Sequence, residues 1–174
     1  MTVHRIFEPD EQLMEFINEC DHLKYTNNNS LKAMKFDFCL ENGAWFVVEE
    51  DNHYVSVAGI HTFLDGYRAL FRGAQIKQRI SGLNKYHMTS YPFGEILPYQ
   101  IQYVQEIDSN APIYITTNVE NDSSGKMNKI HRLFCMLSDH GIIEEYIKEA
   151  VIYHVNQTVW KLNVQRYYEV RYHH

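Results

Sequence analysis

The hydrophobic and polar positions at the start of the chain predict one short strand and two helices. Residues 2–7 alternate with a period of two, which is typical of a strand. The pair Pro9-Asp10 then predicts the start of a helix with one apolar stripe. Ser30 can cap a second short helix over 31–40, because its hydroxyl can accept hydrogen bonds from the first helical N–H groups.

The middle of the chain has the pattern of a β-meander. Runs rich in β-branched and aromatic residues predict strands over 45–49, 54–64 and 67–77. Polar dipeptides predict the turns that separate these runs, namely Asn42-Gly43 before the first, Asp51-Asn52 before the second and Asp65-Gly66 before the third.

The rest of the chain, from residue 78, is predicted to contain both helices and strands. Residues 78–95 show no clean period, and Pro98 then favours the first turn of a helix that extends to about residue 107. A strand is predicted over 113–119 and a helix over 126–140, which Gly141 ends. Two long strands, 142–155 and 158–170, are predicted around a turn at Asn156-Gln157.

This order of elements predicts the fold class α/β (α+β). We expect one mixed, largely antiparallel sheet with helices on both faces, because helices flank the strand at 113–119. A chain of 174 residues is long enough for one domain with a sizeable core, so a single domain over 1–174 is predicted.

Composition narrows the class of protein. The formal net charge of -6 argues against a broad nucleic-acid surface, which needs clustered Lys and Arg. No apolar run is long enough to predict a membrane span or a secretory signal. The three cysteines, which are odd in number and lack CxxC spacing, favour reduced thiols and a cytoplasmic location.

The order of elements and several short segments resemble the GNAT family of acetyl-CoA-dependent N-acetyltransferases over nearly the full length. The segment 45–51 (WFVVEED) is similar to the second strand of that family and its acidic turn. Val57-Ala58-Gly59-Ile60 is similar to the third strand, and 128–141 resembles the helix before the sixth strand. The Asn-rich, Pro-poor composition also resembles that of phage-encoded proteins of this type.

The resemblance implies a cosubstrate, acetyl-CoA, and a loop that binds its pyrophosphate. Backbone N–H groups at a helix N-terminus suit an anion, and Gly lets the backbone approach it. The matching residues here are Gln78, Arg79, Ser81 and Gly82, although the second Gly of the family's loop is absent. The resemblance also implies backbone contacts from Ala74, Gln75 and Ile76, and a contact from Asn118 to the pantetheine arm, although Asn118 could equally cap its own loop.

The family's catalytic groups match this chain only in part. A Tyr four residues before the Gly that closes the helix often acts as general acid, and here that position is Leu137. Cys135, Ser138 and His131 are the nearby groups that could donate a proton. A general base must also deprotonate the acceptor amine, and the candidates on the central strands are His61 and Glu49, with Glu50 beside it. A buried structural His and a solvated acidic turn are the alternatives for these positions.

Two functions fit these residues. The first is an acetyl-CoA-dependent N-acyltransferase that acts on an amine of a small molecule or peptide by direct transfer in a ternary complex. The second is a catalytically degenerate protein of the same fold that serves as a binding or assembly module. The chain has no HExxH and no Cys pair, so no metal site is predicted. The aromatic residues of the predicted C-terminal hairpin suggest a homodimer through that hairpin.

Overall fold

The computed structural model describes residues 1–8, 10–16, 36–74, 91–120, 125, 127, 129–152 and 155–172. They fall into two compact units, Met1–Asn110 and Ala111–His174, and each is described by itself.

The described residues of the first unit form four antiparallel strands in sequence order. They are β1 (Thr2–Ile6), β2 (Gly43–Glu50), β3 (His53–Phe63) and β4 (Gly66–Ala74). Each strand pairs with the next one along the chain. The predicted strand at the N-terminus and the predicted β-meander are therefore confirmed, apart from 75–77, which lie outside the described residues.

Helices cover both faces of these four strands. On one face, residues 11–16 (helix α1) and Phe36–Asn42 (helix α2) contribute to a buried apolar cluster. On the other face lies helix α3 (Leu97–Ile107), whose Tyr99 ring lies 6.3 Å from that of Phe46. The cluster on the first face consists of Ile6, Leu13, Phe16, Cys39, Trp45, Val47, Tyr54, Val57 and Leu70.

Asp10 joins helix α1 to the sheet. Its Oδ1 accepts a hydrogen bond of 2.6 Å from the N–H of Leu13, the geometry of an N-cap. Its Oδ2 accepts another, of 3.0 Å, from the hydroxyl of Tyr54 on β3. Burial, this hydrogen bond and the nearby carboxylates of Asp10 and Glu49 raise the pKa of Tyr54 to about 12.

We therefore expect Asp10→Ala to destabilise the protein by about 1–2 kcal/mol, because the cap and the partner of a buried hydroxyl are lost together. Asp10→Asn is the matched control, since it keeps an oxygen acceptor at the same place and should cost less. Urea unfolding of both variants measures the difference. Equal losses for the two substitutions would show that charge, and not the cap, is what Asp10 contributes.

Two predicted turns differ from the structure. No turn separates Asn42 from Gly43, because α2 ends at Asn42 and β2 begins at Gly43. A Cβ at Gly43 would overlap the carbonyl oxygen of Ile60, so this glycine is needed for the close approach of β2 and β3. The β3–β4 turn consists of Leu64 and Asp65, one position before the predicted pair, and Leu64 adopts a positive φ of 49°.

The second unit contains three strands and two helices. They are β5 (Ile113–Asn118), α4 (Lys129–Asp139), β6 (Ile143–Ile152), β7 (Val155–Leu162) and α5 (Val164–Tyr172). Strand β7 lies between β5 and β6 and pairs antiparallel with both. Gly141, at φ 75°, ends α4 as predicted. The N–H of Ile142 reaches the carbonyl oxygen of Leu137 at 3.1 Å and that of Gly141 reaches Ser138 at 3.0 Å, which is a Schellman motif.

The C-terminal strand pair was predicted with the wrong boundaries. Asn156 and Gln157 lie inside β7, and residues 164–172 form a helix where a strand was expected. Asn163 starts that helix, since its Oδ1 accepts a hydrogen bond of 2.9 Å from the N–H of Arg166. Trp160 and Tyr167 are buried, so these two residues do not lie on the exposed hairpin from which the homodimer was predicted, and the homodimer stays a prediction.

Candidate functional site

His61, the first candidate base, lies in the interior of β3 and is only 2% exposed. Its cross-strand neighbour is Arg68 of β4, and its ring meets the ring of Phe63 edge-on at 6.2 Å. Nδ1 lies 2.7 Å from the carbonyl oxygen of Thr62. A carbonyl only accepts, so the neutral imidazole is assigned its proton on Nδ1 and its lone pair on Nε2. His61 can therefore accept a proton at Nε2, although the residue is buried.

Glu49, the second candidate base, lies at the far end of the neighbouring strand. Its Oε2 is 3.8 Å from Nε2 of His4, and both side chains are partly exposed. His61 pairs with Gly43, which is six residues before Glu49 on β2. At about 3.3 Å per residue, roughly 20 Å separates the two positions. The structure therefore does not bring the two candidates together on one reacting atom.

The predicted cofactor loop falls mostly on residues that the structure does not describe. Gln75, Ile76, Gln78, Arg79, Ser81 and Gly82 all lie outside the described residues. Ala74 is the last residue of β4. Just before it, Val57 pairs with Gly73 while Ala58 pairs with Phe71, so β4 has a bulge with one extra residue. Bulges of this kind often lie beside functional sites, where they redirect the end of a strand.

Asn118 ends β5 and caps the loop that follows it. Its Oδ1 accepts a hydrogen bond of 2.7 Å from the N–H of Glu120. Asn118 also lies opposite Gln157 in the pairing of β5 with β7. The side-chain oxygen of Asn118 therefore caps the loop, which was the alternative given for this residue. Its NH₂ group is the part that could donate a hydrogen bond to a ligand carbonyl.

A π-helical turn precedes α3 where the sequence predicted irregular chain. Residues Tyr91–Ile96 form this turn and continue directly into Leu97–Ile107. Ile96 is itself helical and makes no capping side-chain hydrogen bond. The helical turn therefore begins at Tyr91, nine residues after Gly82 in the sequence, and not at Pro98. Single π-helical turns are frequent at functional sites.

Gln100 is a buried polar residue that the sequence reasoning missed. Its Nε2 donates a hydrogen bond of 2.8 Å to the carbonyl oxygen of Gly59, which ties α3 to the centre of β3. Its Oε1 is buried and has no hydrogen-bond partner among the described residues. Gly59 in turn lies beneath the indole of Trp45, since a Cβ there would come within 2.8 Å of the ring. The signal in the sequence was a Gln between the apolar Leu97, Ile101 and Val104.

A second polar group, of which the sequence analysis named only His131, joins three elements of the second unit. Nδ1 of His131 on α4 lies 2.7 Å from Oγ1 of Thr117 on β5. The indole Nε1–H of Trp160 on β7 donates to the same Oγ1 at 2.8 Å. Burial lowers the pKa of His131, and the carboxylate of Glu145 opposes that shift. The imidazole is therefore held in its neutral form near neutral pH.

The position that the resemblance assigned to a catalytic Tyr is part of the core. Leu137 is fully buried, and it takes part in the Schellman motif. Cys135 is partly exposed on another side of the helix. Burial raises the pKa of its thiol, and the charges of Asp139 and Glu145 raise it further, so the thiol stays protonated at neutral pH.

Other kinds of site find no support in the described part of the chain. None of its His, Cys, Asp and Glu residues form a group of three or more that could hold a metal ion. None of its helices has the length and apolar composition needed to cross a membrane.

Comparison with known proteins shows similarity in structure alone. No protein-family model matches the sequence, and no curated protein matches it. An aminoglycoside 6′-N-acetyltransferase complexed with coenzyme A is similar at TM-score 0.61 and 9% identity, over 92% of this chain and 96% of that one. A Desulfovibrio desulfuricans protein assigned to the GNAT family of acetyltransferases gives TM-score 0.61 at 12% identity, over 94% and 98%. An acyl-CoA N-acyltransferase from Pseudomonas aeruginosa gives 0.58 at 6%, over 92% and 97%.

The likeness extends over more than nine-tenths of this chain and of each of these structures. It confirms the fold class that the order of strands and helices predicted, a mixed sheet with flanking helices. The chain therefore has the acyl-CoA N-acyltransferase fold of the GNAT proteins.

Proposed function

We propose that this chain transfers an acyl group from acetyl-CoA to an amine of a small molecule or peptide. The observation that carries the proposal is the fold likeness, which includes a structure complexed with coenzyme A. That enzyme is named for an aminoglycoside, an amine-bearing small molecule. The net charge of -6 adds support, since an acidic protein suits a cationic amine better than a nucleic acid.

The proposed reaction is a direct transfer in a ternary complex. The amine nitrogen attacks the thioester carbon, the C–S bond breaks, and the CoA thiolate leaves. Arg79 and the backbone around Gly82 would hold the pyrophosphate, and a backbone N–H near Ala74 would stabilise the oxyanion. The bulge just before Ala74 supports this role, because it alters the pairing of the strand end. The NH₂ group of Asn118 would donate to a pantetheine carbonyl.

His61 is the base that we favour for the acceptor amine. Its assigned tautomer leaves the lone pair on Nε2, which can accept the proton of the amine. Its burial means that the proton must pass through water or a neighbouring group. Glu49 is more exposed, and its Oε2 lies 3.8 Å from Nε2 of His4 at the other end of the strand. Cys39 and Cys135 are reduced cysteines and not half-cystines, which is consistent with the cytoplasmic location predicted above.

Ligand-dependent melting tests the proposal. With acetyl-CoA at about 100 times its Kd, the folded state gains about 2.7 kcal/mol. A rise in Tm of about 5–11 °C is expected for a protein of this size. ATP is the control, because it carries an adenine and phosphates but no pantetheine. An unchanged Tm with acetyl-CoA, or an equal rise with ATP, would contradict the proposal.

The second candidate function is a binding or assembly module without turnover. Leu137 favours it, since a fully buried aliphatic side chain stands where the family has its acid. An amine-acetylation assay separates the two functions. Acetyl-CoA binding without release of free CoA, over a panel of small amines and lysine peptides, would favour the module.

We expect Cys135→Ala and Cys135→Ser to keep any measured turnover within about twofold of wild type. Loss of a true general acid would cost about 10²–10⁴-fold. Cys135 lies two residues from Leu137, roughly 200° around the helix axis, so it does not replace the missing Tyr. A large fall in turnover for Cys135→Ala at unchanged stability would make that thiol catalytic.

Leu137→Tyr should destabilise the protein by about 1–3 kcal/mol without restoring activity, since the larger side chain overfills a buried site.

A further inference from the structure

Three side chains from three elements of the second unit meet at one hydroxyl group. Thr117 of β5 is 2% exposed and Trp160 of β7 is 4% exposed. His131 reaches them from α4, with its ring 5.8 Å from the indole. The ring of Phe134, one turn further along α4, lies 6.3 Å from the same indole. One hydrogen bond to β5 and two aromatic contacts to β7 thus hold the helix against the two strands, and the second hydrogen bond joins the strands to each other.

The donors and acceptors in this network balance only when His131 is neutral. An indole N–H can only donate, so it occupies one lone pair of the Thr117 oxygen. The Thr117 proton can then go to Nδ1 of a neutral imidazole at 2.7 Å. In the imidazolium both ring nitrogens are donors. Protonation therefore reverses this bond and leaves the buried Thr117 hydroxyl in need of another acceptor, which is costly.

The charges around the network act in opposite directions. Burial disfavours the imidazolium, whereas Glu145 of β6 favours it. Glu145 lies directly opposite Trp160 in the pairing of β6 with β7, so it shares the face of the sheet that α4 covers. Cys135 lies one turn along α4 from His131, and its raised thiol pKa keeps it uncharged. Strands β5 and β7 present the uncharged Thr117 and Trp160.

We propose that the Thr117–His131–Trp160 network is a proton-sensitive clamp that holds α4 against β5 and β7. Neutral His131 closes the clamp, and its protonation loosens the helix. Because the pKa of His131 is lower in the folded protein than its ordinary value of 6.5, the unfolded chain binds the proton more readily. The stabilisation is therefore complete above pH 6.5 and is lost as the pH falls through the lower, folded pKa. This clamp does not depend on acyl transfer.

Hydrogen exchange of the α4 amides tests the clamp in the wild-type protein and in two variants. His131→Asn keeps a side-chain oxygen that can accept from Thr117 but cannot titrate near neutral pH. His140→Asn removes another histidine, just after the end of α4, and is the control for altered charge. Exchange is measured at about pH 7.5 and about pH 5.5, on either side of the ordinary pKa, and is corrected for the intrinsic pH dependence.

In wild type and in His140→Asn, we expect corrected exchange across α4 to be about three- to tenfold faster at the lower pH, the effect of losing one net hydrogen bond. In His131→Asn the two rates should agree. A wild-type rate independent of pH, or the same acceleration in His131→Asn, would overturn the clamp. If His131→Asn fails to fold, NMR titration of the wild-type His131 ring decides alone. A pKa above 6.5 then overturns the proposal, and a pKa below it with parallel loss of α4 protection supports it.

Discussion

Replacing Gly43 with Ala is expected to destabilise the protein by about 3 kcal/mol or more, because the added methyl group collides with the backbone. A Cβ at this position overlaps the carbonyl oxygen of Ile60 and lies 2.8 Å from Cα of His61. Backbone atoms in the middle of a paired strand cannot rotate away as a side chain can. The clash must therefore separate β2 from β3, beside the imidazole that we favour as the base.

Two other glycines provide matched controls for this prediction. Gly59→Ala meets the Trp45 side chain at 2.8 Å and should cost less, since an indole can shift slightly. Gly125→Ala meets no atom within 4 Å, and its positive φ of 81° should cost only about 1–2 kcal/mol. Urea unfolding gives the three free energies. If Gly43→Ala lowers the free energy of unfolding no more than Gly125→Ala does, then β2 and β3 do not approach each other as closely as described.

Local patterns predicted the strands and helices that are built from local interactions. The β3–β4 hairpin follows from the β-branched and aromatic residues over 54–64 and a polar turn, and the end of α4 follows from Gly141. The helix at 164–172 was missed because Trp160, Leu162 and Val164 continue the alternation of β7. The local signal was Asn163, whose side chain caps the helix. The alternating run predicted a strand beyond residue 162, whereas the Asn163 cap marks the start of the helix that the structure shows.

The candidate site depended on contacts that no spacing in the sequence reveals. His61 and Glu49 both lie on central strands, but the register of β2 with β3 places them at different ends. The clamp joins Thr117 to His131 across 14 positions and to Trp160 across 43. Separations of that kind carry no periodicity, so only the pairing of β5 with β7 and the packing of α4 bring these groups together.

The phosphate loop gives the second large effect, which is the loss of CoA binding in Arg79→Glu. An Arg that pairs with a pyrophosphate makes charge-assisted hydrogen bonds, and reversal of its charge adds repulsion. Each 1.4 kcal/mol is a factor of about ten in Kd, so we expect at least about a 100-fold loss of affinity. Calorimetric titration with CoA measures it, and circular dichroism checks that the fold is kept.

Pantetheine is the ligand control, because it has the thiol arm of CoA without its phosphates. Arg79→Glu should leave the affinity for pantetheine unchanged while CoA binding is lost, since only the phosphates interact with the charge. Lys85→Glu is the protein control, with the same change of charge six residues further along the chain. We expect it to weaken CoA binding only slightly, because a charge that does not pair directly with the phosphates makes no charge-assisted hydrogen bond and is screened by salt. Equal loss in both variants would mean that the basic segment attracts CoA diffusely, and unchanged binding in Arg79→Glu would place the phosphates elsewhere.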